Sequence, residues 1–259
     1  MDIILEKIPS LPPLYQRPRH VHAVTDRFSL LNTYVIDDGR LIVVDPGSIL
    51  NTRLMLEYLQ RFLHRSPRDI DLIVLTHLHP DHTAGVAELR RVCHAPVAAS
   101  VIAQYLVRKW HGEDLQVEGA LALTLNSILA RTLNTRSKPG IVHHLDLFSP
   151  QYKRQMQLVD LWLDDVVGLP NHPDWRVIAS PGHTPESLCL YNPFSYELLC
   201  GDTLIAVEGG AMLVRRDTSY HQLEATLHTL RTLQVHYLYP GHGRPILSLQ
   251  ALANARIGL

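Results

Sequence analysis

A dense string of histidine and aspartate directly follows a strongly apolar run, and this feature constrains the fold most. Residues 70–75 read IDLIVL and continue into THLHPDH at residues 76–82. The apolar run predicts a buried strand, because such strands are short, continuous and rich in branched residues. Rigid strands present the side chains of the following loop into a cleft. The string therefore predicts a chemical site at the edge of a sheet.

Three further loops carry the same kinds of side chain behind strand-like runs: PGH at 181–183, CGD at 200–202 and PGHG at 240–243. A lone histidine is more often a hydrogen-bonded core or loop residue than a ligand. This chain has sixteen histidines and four such loops, and that combination favours a metal site instead. Imidazole and carboxylate without thiolate suit Zn, Fe or Mn, and the histidine-rich balance favours Zn.

The rest of the chain predicts two blocks of strands and helices. Strands are expected at 30–36, 41–44, 70–75, 96–99, 175–179, 187–191, 196–199 and 235–239. Helices are expected at 51–64, 83–93, 220–233 and 246–255, and Asn51 can cap the start of the first. Between the blocks, 101–110, 121–133 and 152–163 have helical patterning, which predicts a helical insertion at about 101–165. We expect one layered α/β domain over residues 1–259.

The four loops, quoted at length as THLHPDH, PGHTPES, LCGDTL and YPGHG, resemble the metal-binding signature of the metallo-β-lactamase superfamily. NTYVI at 32–36 and VVDPG at 43–47 are similar to the opening strands of that family. The resemblance implies an αββα four-layer sandwich, with helices on both outer sides and the site along one edge. The helical insertion would then lie over this edge as a lid.

The resemblance also implies two divalent metal ions per chain, most simply Zn, with Fe or Mn as alternatives. It places His77, His79 and His183 on the first metal, Asp81, His82 and His242 on the second, and Asp202 between the two. Glu186 stands where the family often has glycine, but this position is not a ligand. A histidine at position 79 argues against the flavin-coupled di-iron branch, which typically has glutamate there.

Two neighbouring metals can share a water and lower its pKa from about 16 to near 7, which makes a metal-bridging hydroxide the expected nucleophile. Asp81 or Asp202 is expected to act in catalysis, by orienting the nucleophile and passing a proton to the leaving group. No other cofactor is expected. This assignment of the two aspartates is a hypothesis.

The bond to be cleaved is less constrained, because one ligand set serves many reactions in the superfamily. Only residues 243–259 follow the last predicted ligand, so we expect neither the helical C-terminal domain of glyoxalase II nor the extra domain of the RNA-processing branch. A small ester, thioester or lactone is the preferred substrate. Apolar residues of the insertion could line its pocket or merely pack onto the core: Tyr105, Trp110, Leu121, Leu125 and Ile128.

Two other functions stay open. One is a mononuclear iron oxygenase of the persulfide dioxygenase type, which resembles this family but uses two histidines and one aspartate. The other is a sensor or regulatory protein that binds metal without catalysis. A purely structural metal site is disfavoured, because structural zinc is normally closed by four protein ligands.

Composition limits the partners. The formal net charge is −1 and no cluster of Lys or Arg stands out, so the sequence gives no electrostatic reason to expect binding to nucleic acid or to an anionic membrane. Three widely spaced cysteines indicate a reducing compartment, and the short apolar stretch near the N-terminus is too short for a signal peptide, so a cytoplasmic location is expected. We expect a small-molecule substrate, and a homodimer through the insertion stays open.

Several residues outside the predicted ligand set carry weaker predictions. Asp45 is either a support for the first loop or an ordinary turn aspartate. The pair His143 and His144 is expected to face solvent, and Tyr220 to serve packing. Cys200 is expected to be a small buried side chain.

Overall fold

The structure is a computed structural model that describes residues 20–26, 30–110, 157–165, 168–208, 210–213 and 220–258, with the backbone alone for 106–110. The first elements in chain order are β1 (Val21–Thr25), β2 (Asn32–Asp37), β3 (Leu41–Val44), α1 (Ile49–Arg61), a 3-10 turn (Pro67–Asp69), β4 (Ile70–Val74), α2 (Pro80–Thr83), α3 (Val86–Cys93), β5 (Val97–Ser100), α4 (Val101–Trp110) and β6 (Leu161–Leu163). There follow β7 (Gly168–Leu169), β8 (His172–Ala179), β9 (Leu188–Asn192), β10 (Glu197–Gly201), β11 (Ile205–Val207), β12 (Gly210–Leu213), α5 (Tyr220–Arg231), β13 (Tyr237–Pro240), β14 (Ile246–Leu247) and β15 (Arg256–Ile257).

Two six-stranded sheets and one small sheet organise these strands. The first sheet has the order β1-β2-β3-β4-β5-β6, antiparallel from β1 to β3 and parallel from β3 to β6. The second has the order β14-β13-β10-β9-β8-β7, in which β10 and β13 are parallel. β11, β12 and β15 form the third. The sheets are therefore mixed, as expected when helices cover their outer faces.

Three hydrophobic clusters separate four layers, because alternate residues of each strand point to opposite faces. In β3, Ile42 and Val44 belong to the cluster between the two large sheets, whereas Leu41 and Val43 belong to the cluster under α1 and α3. A third cluster joins the outer face of the second sheet to α5. This arrangement is the predicted αββα sandwich.

The ends of the strands place the four predicted loops at one edge. β4 runs into the loop of His77, β8 into that of His183, β10 into Asp202 and β13 into His242. β10 and β13 are parallel, and β8 is also parallel to β10 through the antiparallel β9 between them. Their carboxyl ends therefore meet at the same edge of the second sheet.

Three local predictions from the sequence are wrong. Residues 246–255 are not a helix, since Ile246 and Leu247 pair with β13 and residues 249–254 form turns. Residues 161–163 are an edge strand beside β5, so the helical pattern does not extend to Leu163. Helix α1 begins at Ile49, two residues earlier than predicted, because the hydroxyl of Ser48 caps it by accepting a hydrogen bond from the backbone N–H of Asn51.

The predicted insertion is described only in part. α4 follows β5 as expected, whereas residues 111–156 lie outside the described residues, and with them Leu121, Leu125, Ile128, His143 and His144. The side chain of Trp110 also lies outside them. None of the helices in the described ranges is long and apolar enough to cross a membrane.

Candidate metal centre

The seven residues that the sequence analysis named as ligands lie together at this edge. His77, His79, His183 and Asp202 form one group of converging side-chain atoms, and Asp81, His82 and His242 form a second. All except Asp81 and His242 are buried. We call His77, His79 and His183 the first ligand set, and Asp81, His82 and His242 the second ligand set.

The first ligand set converges closely. Nδ1 of His79 lies 3.0 Å from Nε2 of His77 and 3.0 Å from Nε2 of His183. Nitrogens of two imidazoles on one tetrahedral zinc lie about 3.3 Å apart, given a Zn–N distance of about 2.0 Å. The spacing of these nitrogen atoms therefore fits a common metal ion.

The second ligand set is more open. Oδ2 of Asp81 lies 3.3 Å from Nε2 of His242 and 3.9 Å from Nε2 of His82. The side chain of Asp81 is 51% exposed, whereas that of His82 is fully buried. The second ligand set is therefore open to solvent on the side of Asp81.

Asp202 faces both ligand sets. Its Oδ2 atom lies 3.5 Å from Nε2 of His183 and 3.6 Å from Nε2 of His242, and its Oδ1 atom lies 3.4 Å from Nε2 of His82. One carboxylate thus reaches donor atoms of both sets. This is the geometry that a bridging ligand requires.

Asp45 and Thr76 hold the first loop from behind. Asp45 accepts hydrogen bonds from the backbone N–H of Thr76 at 2.8 Å, the Thr76 hydroxyl at 2.6 Å and Nδ1 of His82 at 3.0 Å. The Thr76 hydroxyl proton is used on Asp45, so its oxygen accepts from Nδ1 of His77 at 3.1 Å. In the neutral form, each of these two imidazoles then has its proton on Nδ1 and presents an unprotonated Nε2 to the centre, which is the tautomer that a metal requires.

Thr76 is the supporting residue that the sequence analysis missed, although it begins the quoted string. Asp45 supports the ligands through these hydrogen bonds and is not an ordinary turn residue. Its backbone is strained, with φ of 50°. Few side chains tolerate this left-handed region, and aspartate and asparagine are among them. Strain of this kind is often found at functional sites.

The pKa shifts of the ionisable side chains in this cluster suit the binding of a metal ion. Burial, reinforced by the neighbouring imidazoles, lowers the pKa of His77 well below its usual value, which keeps the ring neutral. Burial would raise the pKa of Asp202, but the imidazoles of His82, His183 and His242 outweigh it and lower the pKa to about 2. Burial likewise opposes a charge on His82, yet the carboxylates of Asp202 and Asp45 raise its pKa well above the usual value. The carboxylates of this centre therefore attract positive charge.

Two glycines allow the loops to approach each other. A Cβ atom at Gly241 would overlap Oδ1 of Asp202 and lie 2.7 Å from Cε1 of His82. Gly201 has φ of 48°, and a Cβ atom there would lie 2.7 Å from Cβ of Thr76. Larger residues at either position would displace the ligand-bearing loops.

The chemistry of the cluster fits divalent metal ions. Nε2 of His82 and Oδ1 of Asp202 are buried, face each other at 3.4 Å in the cluster, and make no hydrogen bond with any of the described residues. Buried polar atoms of this kind normally have a partner, and a metal ion supplies one. Nitrogen and carboxylate donors without thiolate suit Zn, Fe or Mn. The assignment of the seven residues as ligands stays a prediction.

The structure also describes three further residues that the sequence singled out. Cys200 is fully buried, as expected. Tyr220 is 48% exposed, so it is packed only in part. Glu186 is buried beside the loop of His183, with 1% of its surface exposed.

Comparison with known proteins agrees with the fold. The sequence profile of the metallo-beta-lactamase superfamily matches residues 27–242, and the chain belongs to this superfamily. A probable metallo-hydrolase, MJ0888 of Methanocaldococcus jannaschii, is 25% identical over 82% of this chain and 87% of its own length. A hydroxyacylglutathione hydrolase of Idiomarina loihiensis is 24% identical over 68% of this chain and 46% of its own. The crystal structure of TTHA1623 in a di-iron-bound form has a similar fold, with a TM-score of 0.57 at 22% identity over 90% of this chain and 98% of that chain.

Proposed function

We propose that this protein is a dinuclear metal-dependent hydrolase of a small ester, thioester or lactone. The observation that carries the proposal is the position of Asp202, whose two oxygens face both ligand sets at 3.4 to 3.6 Å. A structural metal site needs four protein ligands around one ion, whereas here seven donors are shared by two sets, which leaves positions open. Open positions indicate catalysis.

Two divalent ions held there would supply hydroxide near neutral pH and polarise the carbonyl oxygen of the substrate. The chain's own residues fix the geometry. Asp45 and Thr76 orient His82 and His77, and Asp202 holds the two ligand sets at a fixed separation. Orientation of this kind lowers the barrier because the reacting groups are positioned before the reaction.

Exposure distinguishes the two aspartates that were expected to move protons. The side chain of Asp202 is 10% exposed and surrounded by imidazoles, whereas that of Asp81 is 51% exposed. A group that delivers a proton must reach the leaving group of the substrate. Asp81 therefore suits proton transfer, and Asp202 suits the bridge.

Apolar side chains around the described part of the edge support an apolar acyl group. Leu30 is 56% exposed and precedes Leu31, which forms a β-bridge with His242. Ile49 and Leu50 are 49% and 46% exposed at the start of α1. The preceding loop contacts the second ligand set, since the N–H of Gly47 donates to the carbonyl of His82. These exposed apolar side chains stand on segments next to backbone that contacts the centre, and we take them as candidates for binding the acyl group.

The test combines metal analysis with a substrate panel. Protein purified without chelator would be analysed for Zn, Fe and Mn, and assayed on chromogenic ester, thioester, lactone, β-lactam and phosphodiester substrates. We expect about two ions per chain, turnover of the carbonyl substrates, and loss of turnover in Asp202→Ala. The matched control is Asp174→Asn, an exposed aspartate of β8 away from the cluster.

Two results would contradict the proposal. A single iron with oxygen consumption on a persulfide would indicate the dioxygenase type of chemistry instead. Two bound metals with no turnover on any substrate of the panel would favour a sensor or regulatory protein.

A further inference from the structure

The loop that carries His242 is held by the opposite sheet. Leu31 forms an antiparallel bridge with His242, and the backbone N–H of Asn32 donates to the carbonyl of Gly241 at 2.8 Å. β2 belongs to the first sheet, whereas the His242 loop leaves β13 of the second sheet. The position of this ligand therefore depends on the beginning of β2.

The side chain of Asn32 adds two hydrogen bonds to the same loop. Its Nδ2 atom donates to the carbonyl of Pro240 at 2.9 Å and to that of Gly243 at 2.7 Å, on both sides of His242. The hydroxyl of Thr25 donates to Oδ1 at 2.6 Å, which fixes the orientation of the amide. Asn32 is fully buried, and its bond to Pro240 is shielded from water.

A neighbouring side chain supports the same carbonyl. The hydroxyl of Tyr34 donates to the carbonyl of Pro240 at 2.6 Å, and Tyr34 is buried. The N–H of Gly241 in turn donates to the carbonyl of Gly201, next to the bridging Asp202. The loop is thus fixed from β2 on one side and from the Asp202 loop on the other.

We propose that Asn32 is a positioning residue for His242 and thereby sets the affinity of the second ligand set for its metal. This inference rests on the proposed dinuclear function. Asn32 touches no donor atom of the cluster and acts through the backbone on both sides of His242. Residues that orient a ligand from behind typically change metal affinity by about 10–100-fold when substituted.

The substitution Asn32→Asp tests the donors of the amide with little change in size. The Thr25 hydroxyl can still donate to Oδ1, but the second oxygen would face the carbonyls of Pro240 and Gly243 where Nδ2 now donates. Oxygen facing oxygen at such distances is repulsive, so the loop must move. Asn32→Ser removes the two donations without adding charge and carries the same expectation if Asn32→Asp does not fold.

Thr33→Val is the matched control on the same strand. Thr33 is fully buried, points to the opposite face of β2, and its hydroxyl has no hydrogen-bond partner among the described residues. Replacing this hydroxyl by a methyl group of similar shape is nearly neutral or stabilising. Tyr34→Phe removes a single donor to Pro240 and should show an intermediate effect.

The experiment measures zinc per chain after gel filtration, and zinc affinity by competition with a chromophoric chelator. Far-ultraviolet circular dichroism verifies the fold of each metal-free variant. We expect about two zinc ions in the wild type and in Thr33→Val, and about one in Asn32→Asp, with its weaker-bound zinc held about 10–100-fold less tightly. His242→Ala is the reference for loss of the second zinc.

Each possible outcome either supports or overturns the proposed role of Asn32. A folded Asn32→Asp or Asn32→Ser variant that binds two zinc ions with wild-type affinity overturns the role of Asn32 and leaves the proposed function standing. Loss of both zinc ions in a folded variant also overturns it, because the effect would not be confined to the second ligand set. A wild type that binds only one zinc contradicts the dinuclear proposal, and the role of Asn32 with it.

Discussion

Oδ2 of Asp45 lies 3.0 Å from Nδ1 of His82, and this hydrogen bond joins the end of the third strand to the second ligand set. The same carboxylate holds Thr76 through its other contacts. Asp45 is 2% exposed, so the bond is made in a nearly dry environment. Charge-assisted bonds of this kind are among the stronger ones in proteins.

Asp45→Asn should weaken metal binding without preventing folding. Asparagine tolerates the φ of 50° at this position, but its amide offers one acceptor oxygen where the carboxylate uses two. We expect about a 10–100-fold loss of zinc affinity and about 1–3 kcal/mol lower stability. Chelator competition and urea unfolding measure the two effects. Unchanged affinity would show that Asp45 does not orient His82, and Asp174→Asn serves as the control.

Gly241→Ala should disrupt the centre more than it disrupts the fold. The added methyl group would overlap the Asp202 carboxylate and contact His82. We expect loss of zinc binding and of turnover in a protein with a native circular dichroism spectrum. Gly39→Ala is the control, because a Cβ atom there meets nothing within 4 Å, while φ of 99° makes it costly by about 1 kcal/mol or more. Full metal content in Gly241→Ala would contradict the close approach of the two loops.

Leu30→Asn should separate substrate binding from stability. Leu30 has φ of 53°, a conformation that asparagine adopts more readily than leucine, and its side chain is exposed. We therefore expect unchanged or higher thermal stability together with a higher KM for esters of long acyl chains. Acetyl esters should be affected little. Equal KM values for long-chain esters in both proteins would exclude Leu30 from the substrate site.

The three cysteines should be unreactive in the folded protein. All are buried, and burial raises the pKa of Cys189 to about 11 and that of Cys200 well above its usual value. The thiolate is the reactive form, so a disulfide reagent at pH 8 should label the native protein slowly. Labelling of all three thiols after denaturation is the control. Rapid labelling of the native protein would contradict the burial of these three thiols.

The parts of the molecule that follow from local pattern could be predicted from the sequence. β3 was predicted at its observed residues, because an apolar run next to an Asp-Gly turn is a local signal. The candidate ligands could be named because they stand in short strings directly behind strands. The structure brings all seven together, as the family resemblance implied.

The parts that depend on distant contacts could not be predicted. Asn32 contacts Pro240 across 208 positions of the chain, and no periodicity in the sequence indicates that two such distant residues are in contact. Residues 246–247 have apolar side chains that fit a helix, yet their backbone pairs with β13. Thr76 was overlooked because a threonine beside histidines has no distinctive pattern; only the position of Asp45 behind it reveals its role. Tertiary contacts override local propensity in each case.

Anomalous diffraction from crystals grown with zinc would locate the metal ions bound by these residues. We expect two zinc peaks per chain, one beside His77, His79 and His183 and the other beside Asp81, His82 and His242, with the Asp202 carboxylate between them. A single peak at the first ligand set, with Asp202 turned away from the second, would contradict this expectation.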